Sequence, residues 1–404
     1  MTTTAIRESP GSQVPSDRLD LLLRTLAYAR ERDYTGWDYG DGMSSQFLQQ
    51  FPVDNKWLNL AVQEGIKRAP VNLRPLFRVD QRRNFMGAAL FAMASLEAYR
   101  LTERQTHARD ARDLVEWLLD EHPRGYSGFC CTHPHDVQTL DGVVPAGTPG
   151  VVGTSFGVKA LLRADEQFGG GYGDVARTAA DFVFDDLGYE EDGERARINY
   201  KVSDDGDHYT LNAVALGARL LVDLYDHTGE SMLRDAARKL LAYVAGEQTD
   251  VGGWYYRDPP EASHLSMDSH HNGFVIESFQ QYRQVTGSTA FDEVLRPALS
   301  FYRDTLFEPT GVPNFDESSP YPRDVHAAAQ GILVFTYAGD CRFAERIIDW
   351  TLAHLYAGDG RFYSRKYRFH TKRHVLMRWC EAWMAYALAE YLRVRSHLLG
   401  YGRS

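Results

Sequence analysis

Two kinds of apolar pattern alternate along this chain of 404 residues. In the first, apolar residues at helical spacing occupy one side and charged residues the other, over 19–32, 54–68, 105–120, 173–186, 230–246, 290–306 and 341–356. In the second, Ala, Gly and large apolar residues surround the helix almost completely, over 82–101, 154–167, 208–227, 270–286, 325–338 and 376–394. A helix that is apolar on most faces must be buried, so the second set predicts an inner layer jacketed by the first.

The spacing of the inner segments predicts the architecture. They begin roughly 50 to 70 residues apart, the period of one outer helix, one inner helix and their loops. No long stretch shows the alternation of a strand. The predicted fold class is all-α, an (α/α)6 toroid of six helical hairpins in a double ring, with short Gly- and aromatic-rich loops at its mouth. A curved solenoid with an open ring is the alternative.

Composition sets the domain limits and excludes some partners. Residues 1–16, rich in Thr, Ser, Pro and Gly, predict a disordered leader, residues 17–398 one toroid domain, and residues 399–404 a flexible tail. The net charge of −11 disfavours nucleic acid and anionic membrane surfaces. No apolar run reaches the length of a membrane span, and the N-terminus lacks a signal-peptide core, so we expect a cytoplasmic protein.

Sequence motifs for cofactors are missing or weak. There is no Walker loop, no dinucleotide-binding glycine motif after a strand and no nucleophile elbow, so we expect no nucleotide cofactor. Four cysteines in so long a chain do not indicate a disulfide scaffold. The run Cys130-Cys131-Thr132-His133-Pro134-His135-Asp136 contains zinc-ligand types, but no matching second pair follows, and we predict no metal site.

Polar residues mark the starts of the inner segments, which meet at one mouth because the inner helices of such a ring run in one direction. Three of these starts repeat Asp followed by His within three residues. Asp is a strong N-cap, so capping alone can explain each carboxylate, but capping needs no histidine. Histidine titrates near neutral pH and suits acid/base chemistry. The predicted catalytic residues are Asp207, His208, Asp268, His270, His271, Asp324 and His326.

The loops and starts around them carry aromatics with polar edges beside Arg, Asp and Asn. Sugar rings stack their apolar faces on such aromatics while their hydroxyls form hydrogen bonds. The predicted substrate-binding residues are Trp37, Asp38, Asp41, Arg82, Arg83, Asn212, Trp254, Tyr255, Asn272, Arg365, Tyr367, Arg378 and Trp379. The basic run around Arg365 to Arg378 favours an acidic or phosphate-linked sugar, with a solvated face paired to acids as the alternative.

Two stretches near opposite ends carry a family resemblance: GWDYGDGMSS at 36–45, and YSRKYRFHTK at 363–372 with MRW at 377–379 and AWMAYAL at 382–388. They resemble a poorly characterised family from prokaryotic polysaccharide and N-glycan biosynthesis clusters, including archaeal S-layer glycan clusters. The resemblance implies a role in assembling or modifying a surface glycan or its lipid-linked precursor, with glycosyltransferases of the same pathway as candidate partners. More distantly, the chain resembles the helical domain of uronyl C5-epimerases, glycoside and unsaturated-uronyl hydrolases, and sugar 2-epimerases.

The residues leave three functions open. The first is a glycan-modifying enzyme with an acid and a base in the ring, of epimerase or hydrolase type. The second is a non-catalytic protein that binds a glycan for glycosyltransferases. The third is a terpenoid-type cyclase or prenyl-binding toroid, which would need an apolar cavity instead of the polar helix starts seen here.

Overall fold

The computed structural model describes residues 16–50, 55–139 and 142–398. The predicted tail, and the predicted leader up to residue 15, lie outside the described residues. Within them the helices are α1 (Ser16–Arg30), α2 (Gln46–Gln50), α3 (Lys56–Arg68), α4 (Phe85–Thr102), α5 (Gln105–Glu121), α6 (Val151–Phe168), α7 (Tyr172–Asp181), α8 (Leu211–Thr228), α9 (Ser231–Gly246), α10 (Ser269–Thr286), α11 (Asp292–Asp304), α12 (Val325–Tyr337), α13 (Cys341–His354) and α14 (Trp383–Leu398).

Short strands occupy the loops between the helices. They are β1 (Cys131–Thr132), β2 (Val137–Gln138), β3 (Val143–Val144), β4 (Pro149–Gly150), β5 (Glu190–Asp192), β6 (Arg195–Arg197), β7 (Tyr209–Thr210), β8 (Arg257–Asp258), β9 (Arg323–Asp324), β10 (Tyr356–Gly358), β11 (Arg361–Phe362), β12 (Arg365–Lys366) and β13 (Thr371–Lys372). All pairings between them are antiparallel: β1 with β4, β2 with β3, β5 with β6, β7 with β8, β10 with β11, and β12 with both β9 and β13.

The helices form a closed double ring. The inner helices α4, α6, α8, α10, α12 and α14 pack side by side in chain order, and α14 packs back against α4. The outer helices α5, α7, α9, α11 and α13 each pack on the inner helix before them, and α1 packs on α14. The contact between α14 and α4 closes the ring, so the predicted (α/α)6 toroid is confirmed and the open solenoid is wrong.

Small residues allow the inner helices to approach one another closely. Gly273 of α10 faces α12, and a Cβ at this position would lie 2.2 Å from Cγ of Gln330. Almost every residue of α8 from Leu211 to Leu224 is buried, as the all-round apolar pattern predicted. The core therefore lies between the two rings and in the seams between inner helices, and the polar loops are left at the ends.

Two segments differ from the sequence prediction. The amphipathic segment 54–68 contains α3, which packs on the turn Asp41–Ser44 and on β2 at the mouth and is not an outer-ring helix. An amphipathic pattern shows only that one side is covered, not by what. The last inner segment enters as a π-helical stretch, Met377–Ala382, before α14, and this turns Arg378 and Trp379 into the ring.

The loops that precede the inner helices gather at one end of the ring. β4 leads into α6, β7 into α8 and β9 into α12, and each is fixed by pairing to a neighbouring strand. This end is the mouth of the toroid. None of the described helices is both long and apolar enough to cross a membrane.

Candidate active site

A cavity of about 450 Å³ opens at the mouth, where the inner helices begin. Its lining combines apolar surface with histidines, cations and other polar groups, so it is not the wholly apolar chamber a cyclase would need. The lining includes the histidines His133, His208, His264, His270, His271 and His326, the cations Lys201, Arg257 and Arg378, and the polar and aromatic residues Asn84, Tyr200, Asp204, Asn212, Tyr256, Phe274 and Trp379.

Asp268 organises two of these histidines. It is the N-cap of α10, and its Oδ1 accepts from the backbone N–H of His271 at 3.1 Å. Its Oδ2 lies 2.7 Å from Nδ1 of His271, and its Oδ1 lies 3.0 Å from Nδ1 of His270. A carboxylate accepts hydrogen bonds, so both imidazoles present Nδ1–H to Asp268 and keep Nε2 for another partner.

The charge state of this group follows from burial and proximity. Burial opposes ionisation of Asp268, but His271 and His270 hold the pKa of its carboxyl well below the usual range. Burial lowers the pKa of His271, against the attraction of Asp268. The ring centroids of His270 and His271 lie 3.8 Å apart, so two positive charges there would repel each other.

The ring of His326 lies beside this pair and forms no hydrogen bond with the described residues. Both ring nitrogens are buried and without a partner among the described residues. Its ring stacks on His270 at 4.8 Å and on Trp383 at 4.4 Å between centroids. Burial, followed by the neighbouring charge of His270, lowers the pKa of His326 well below its usual value. The imidazole is therefore neutral near pH 7, and at least one nitrogen is a lone-pair acceptor.

Asp324 holds the adjacent wall. It caps α12 through the backbone N–H of His326 at 2.9 Å, and it accepts from Nε1 of Trp379 at 2.9 Å and Nε of Arg365 at 2.6 Å. Arg365 also donates to the hydroxyl of Tyr39, whose ring stacks on Trp379 at 4.3 Å. The carboxylate is thus engaged by three donors, and its role is to position His326 and Trp379.

A second buried ion pair fixes Arg378. Nε of Arg378 donates to Oδ2 of Asp38 at 2.7 Å, and Nδ2 of Asn84 donates to the same oxygen at 3.2 Å. Asp41 accepts from the backbone N–H of Asp38 at 2.9 Å and pairs with the buried guanidinium of Arg74 at 2.8 Å. The conspicuous acids at 38 and 41 therefore support the cavity from behind.

Several predicted site residues lie away from the cavity. Asp207 is exposed and does not cap α8, because Thr210 occupies the cap position. Trp254 is buried against Phe279, and Asn272 holds its backbone at 2.8 Å. Four more predicted residues lie outside the cavity lining. They are Trp37, which donates to the carbonyl of Val79; Arg82, which donates to that of Pro134; Arg83, which donates to that of Asp33; and Tyr367, which stacks on His370.

The loop 252–257 shows how two predicted aromatic residues, Trp254 and Tyr255, come to lie outside the cavity lining. Trp254 and Tyr255 pack towards the core, whereas the next two residues, Tyr256 and Arg257, line the cavity. Pairing of β8 with β7 sets this register, since Arg257 lies opposite Thr210. Two adjacent residues face the core and the next two face the cavity, which is neither a strand nor a helix period, so the sequence carries no signal for it.

His133, His264, Tyr200 and Lys201 were not predicted as site residues but also line the cavity. They come from loops without helical periodicity. His133 was noted only for its zinc-ligand type, and the run around it forms no cluster of three metal ligands among the described residues. Among the described residues, one group of metal-ligand types does bring its ligand atoms within 4.8 Å of one another, namely Asp268, His270 and His271.

The fold is similar to those of solved carbohydrate-active enzymes. A cellobiose 2-epimerase from Bacillus thermoamylovorans is 14% identical with a TM-score of 0.61, covering 77% of this chain and 88% of that one. An unsaturated glucuronyl hydrolase from Streptococcus agalactiae is 12% identical with a TM-score of 0.59, covering 94% and 91%. A family 76 α-mannanase from Bacteroides thetaiotaomicron is 13% identical with a TM-score of 0.59, covering 81% and 90%. No family model and no curated protein matches the sequence.

These similarities show the fold, an (α/α)6 toroid that carbohydrate-processing enzymes use. At such low identity they do not carry over residue roles or substrates, which depend on the side chains of the individual cavity.

Proposed function

We propose that this protein is an enzyme of surface-glycan assembly that moves a proton on an acidic sugar, in the manner of an epimerase or isomerase. The observation that carries the proposal is His326, a neutral, buried imidazole that lines the cavity with both nitrogens unpartnered. Such a group is a general base prepared for a proton from a substrate.

Inversion at a carbon beside a carbonyl or carboxylate removes a proton from one face and returns one to the other. His270, His271 and His326 stack in contact, so they form one wall and leave no room for a sugar between them. His133 lies on the loop after β1, which pairs with β4 at the start of α6. In a ring of six, α6 is opposite α12, so His133 is the candidate acid across the cavity from His326. It would donate from its protonated form, although burial lowers the pKa of His133.

Asp268 contributes by orientation and charge. Its hydrogen bonds fix the tautomer of His271 and stabilise the imidazolium that forms when this ring takes up a proton. The stacked rings of His270 and His326 extend the wall, so a proton taken by one imidazole is stabilised by the buried carboxylate of Asp268. Asp268 is therefore a positioning residue, and the imidazoles are the groups that meet the substrate.

The cations of the cavity favour an acidic substrate. Lys201, Arg257 and Arg378 line it, and Asp204 is the only carboxylate among the described lining residues. Arg378 is engaged by Asp38 and Lys201 by Asp204, whereas Nε of Arg257 is buried without a partner within the described structure. A carboxylate or phosphate on the sugar would satisfy this guanidinium. A lining with a single carboxylate among the described residues disfavours a glycoside hydrolase, which needs two carboxylates flanking the glycosidic bond.

A solvent-exchange experiment tests the chemistry. The purified protein is incubated in D₂O with uronic acids, hexoses and their nucleotide- or lipid-linked forms, and the sugars are examined by NMR. The proposal expects deuterium at one carbon together with a new epimer or isomer, and loss of both in His326→Gln. New reducing ends would instead identify a hydrolase. Saturable binding without exchange or cleavage would leave the non-catalytic glycan-binding role.

The pathway role is a separate part of the proposal, supported by the family resemblance of residues 36–45 and 363–388. Deletion of the gene, and replacement of His271 by Ala in place, are compared by the masses of surface-protein glycans and lipid-linked precursors. Altered or truncated glycans in both strains support it. Unchanged glycans in the deletion strain contradict it, whatever the exchange experiment shows.

A further inference from the structure

Exposed apolar side chains concentrate on one side of the molecule. Of the twelve large apolar residues exposed in the described structure, seven lie on α2, on α3 and the loop after it, or on the hairpins β2–β3 and β12–β13. They are Phe47, Trp57, Leu58, Val71, Leu76, Val143 and Phe369. We call residues 46–50, 55–79, 137–139, 142–144 and 365–372 the mouth insertion, because none of them belongs to the double ring.

Hydrogen bonds tie the mouth insertion into one unit. The side-chain amide of Gln63 on α3 donates to the backbone carbonyl of Gln138 on β2 at 3.1 Å and accepts from its backbone N–H at 3.0 Å. On its other side α3 is held by Lys372 of β13, which donates to the carbonyl of Lys67. Val137 and Val144 of the β2–β3 hairpin line the cavity. The exposed apolar groups therefore belong to a unit that borders the cavity through its β2–β3 hairpin.

The outer face of α3 is apolar from its start and basic at its C-terminal end. Residues 57, 61, 65 and 68 follow one another at helical spacing and are all exposed, and they read Trp57, Ala61, Gly65 and Arg68. Trp57 is 68% exposed, and Leu58 beside it is exposed as well. The opposite face packs inward through Gln63 and Ile66. A helix with this outer face has an unpartnered apolar stripe.

The charge of the mouth insertion is opposite to that of the whole chain. Between residues 55 and 79 there are five Lys and Arg and a single acid, Glu64, and between 365 and 372 there are four Lys and Arg and no acid. Of these nine cations, Arg74 and Arg365 are paired with the buried carboxylates of Asp41 and Asp324, and Lys372 is buried. Arg68, Arg78, Arg368 and Arg373 are exposed. The acidic residues that give the chain its net charge of −11 therefore lie mostly elsewhere. The net charge of the whole chain does not exclude an anionic membrane as a partner of this face.

Exposed apolar groups interspersed with cations fit the surface of an anionic lipid bilayer. Aliphatic side chains such as Leu58, Val71 and Leu76 have no polar edge for sugar hydroxyls, which disfavours a glycan on this face. A second copy related by two-fold symmetry would set the same cations against each other. We propose that the mouth insertion docks the protein on an anionic membrane surface with the cavity entrance facing the lipid headgroups.

Flotation of the full-length protein with vesicles tests the docking. Vesicles of phosphatidylcholine are compared with vesicles that also contain phosphatidylglycerol. We expect the protein to float with the anionic vesicles and to be released as salt is raised. The double variant Trp57→Gln with Phe369→Ser should lower the bound-to-free ratio about tenfold or more. Arg68→Glu with Arg368→Glu should abolish the preference for phosphatidylglycerol.

Matched controls come from the opposite end of the ring. Met232 is 57% exposed near the start of α9, which as an outer helix begins at the end away from the mouth. Met232→Gln and Arg234→Glu, on the same helix, should float like the wild type. Thermal melting of every variant by circular dichroism separates loss of binding from loss of fold.

Several outcomes overturn the proposal: no flotation with anionic vesicles, equal loss in the controls, or unchanged flotation of the Trp57/Phe369 variant. If the protein does not bind vesicles but forms a dimer that dissociates in this variant, the face is the interface with a second copy. Retention of soluble glycan by the same residues, without vesicle binding, would assign it to sugar. The vesicles contain no sugar substrate, so His326→Gln should float normally, and failure here leaves the proposed chemistry untouched.

Discussion

The carboxylate of Asp268 caps the helix that carries His271 and also lies 2.7 Å from Nδ1 of that residue's ring. One side chain thus fixes both the backbone and the imidazole at the start of α10. Capping requires one oxygen and the imidazole requires the other, so the two functions do not compete. The same carboxylate also contacts His270, and through it the stacked ring of His326.

Asp268→Asn should separate the two roles of Asp268. The amide keeps an acceptor for the cap but loses the charge that stabilises a protonated imidazole. We expect kcat to fall by roughly 10²- to 10⁴-fold, with thermal stability little changed, measured by deuterium uptake and by circular dichroism. The control is Asp340→Asn at the cap of α13, which should leave kcat unchanged. A normal kcat in Asp268→Asn would reduce Asp268 to a cap.

The pH dependence of the reaction should reflect the buried bases. Burial lowers the pKa of both His326 and His271 below the ordinary value. A base with a lowered pKa stays deprotonated as the medium becomes acidic, so the acid limb of kcat/KM should lie below the ordinary histidine pKa of about 6.5. A pH–rate profile checks this. An acid limb above that value would mean that another group supplies the base.

Arg257→Lys should affect recognition of an acidic substrate. A lysine keeps the charge but cannot form the bidentate pair of a guanidinium with carboxylate or phosphate. We expect KM for the acidic sugar to rise roughly tenfold or more, with kcat changed much less. Arg197→Lys, at an exposed pair with Glu190, is the control. Equal effects on neutral and acidic sugars would argue against an anion contact.

The inner ring also depends on a buried ion pair near its far end. Glu390 of α14 is fully buried and bonds to Arg163 at 3.0 Å, Arg393 at 2.8 Å and the hydroxyl of Tyr337 at 2.7 Å. Glu390→Gln leaves Arg163 with an uncompensated charge, and the free energy of unfolding should fall by about 3–5 kcal/mol in urea titrations. Glu293→Gln, at an exposed pair, should cost less than about 0.5 kcal/mol.

The ion pair of Glu390 also predicts how the free energy of unfolding changes with pH. Burial would raise the pKa of Glu390, but Arg163 and Arg393 hold it well below the usual range. The stabilisation is therefore present above the unfolded-state pKa of about 4.3 and is lost as the pH falls through the folded value. Urea unfolding of wild type and Glu390→Gln should converge in acid. A constant difference between them would contradict the assignment.

Glu97 should show the opposite trend. Burial, followed by the charge of Glu390, raises the pKa of Glu97 to about 7. The folded state then holds a proton that the unfolded state releases, so this contribution is full below about pH 4.3 and is lost as the pH rises through the folded pKa. Glu97→Gln should match the wild type in acid and exceed its unfolding free energy at pH 8 by on the order of 2 kcal/mol. Equal stability at both pH values would contradict this.

The sequence by itself determined the double ring. All-round apolar segments can only be buried, and their alternation with one-sided segments leaves few arrangements other than a helical ring within a ring. The same pattern marked the helix starts where Asp268, His270, His271 and His326 meet, because residues at the ends of parallel helices gather at one mouth. It did not exclude an open solenoid, since closure is a contact between α14 and α4 at opposite ends of the chain.

Only the tertiary structure decided which polar residues face the cavity. Asp207 and Asp268 precede a histidine in the same way, but one is exposed and the other is the buried hub. Trp254 and Tyr256 are two residues apart, yet Trp254 is buried in the core and Tyr256 lines the cavity. The sign of the charge at the mouth also depends on folding, because it brings two distant basic segments together. Directions of loop side chains and sums of charge over a surface depend on partners far along the chain, and no local pattern encodes them.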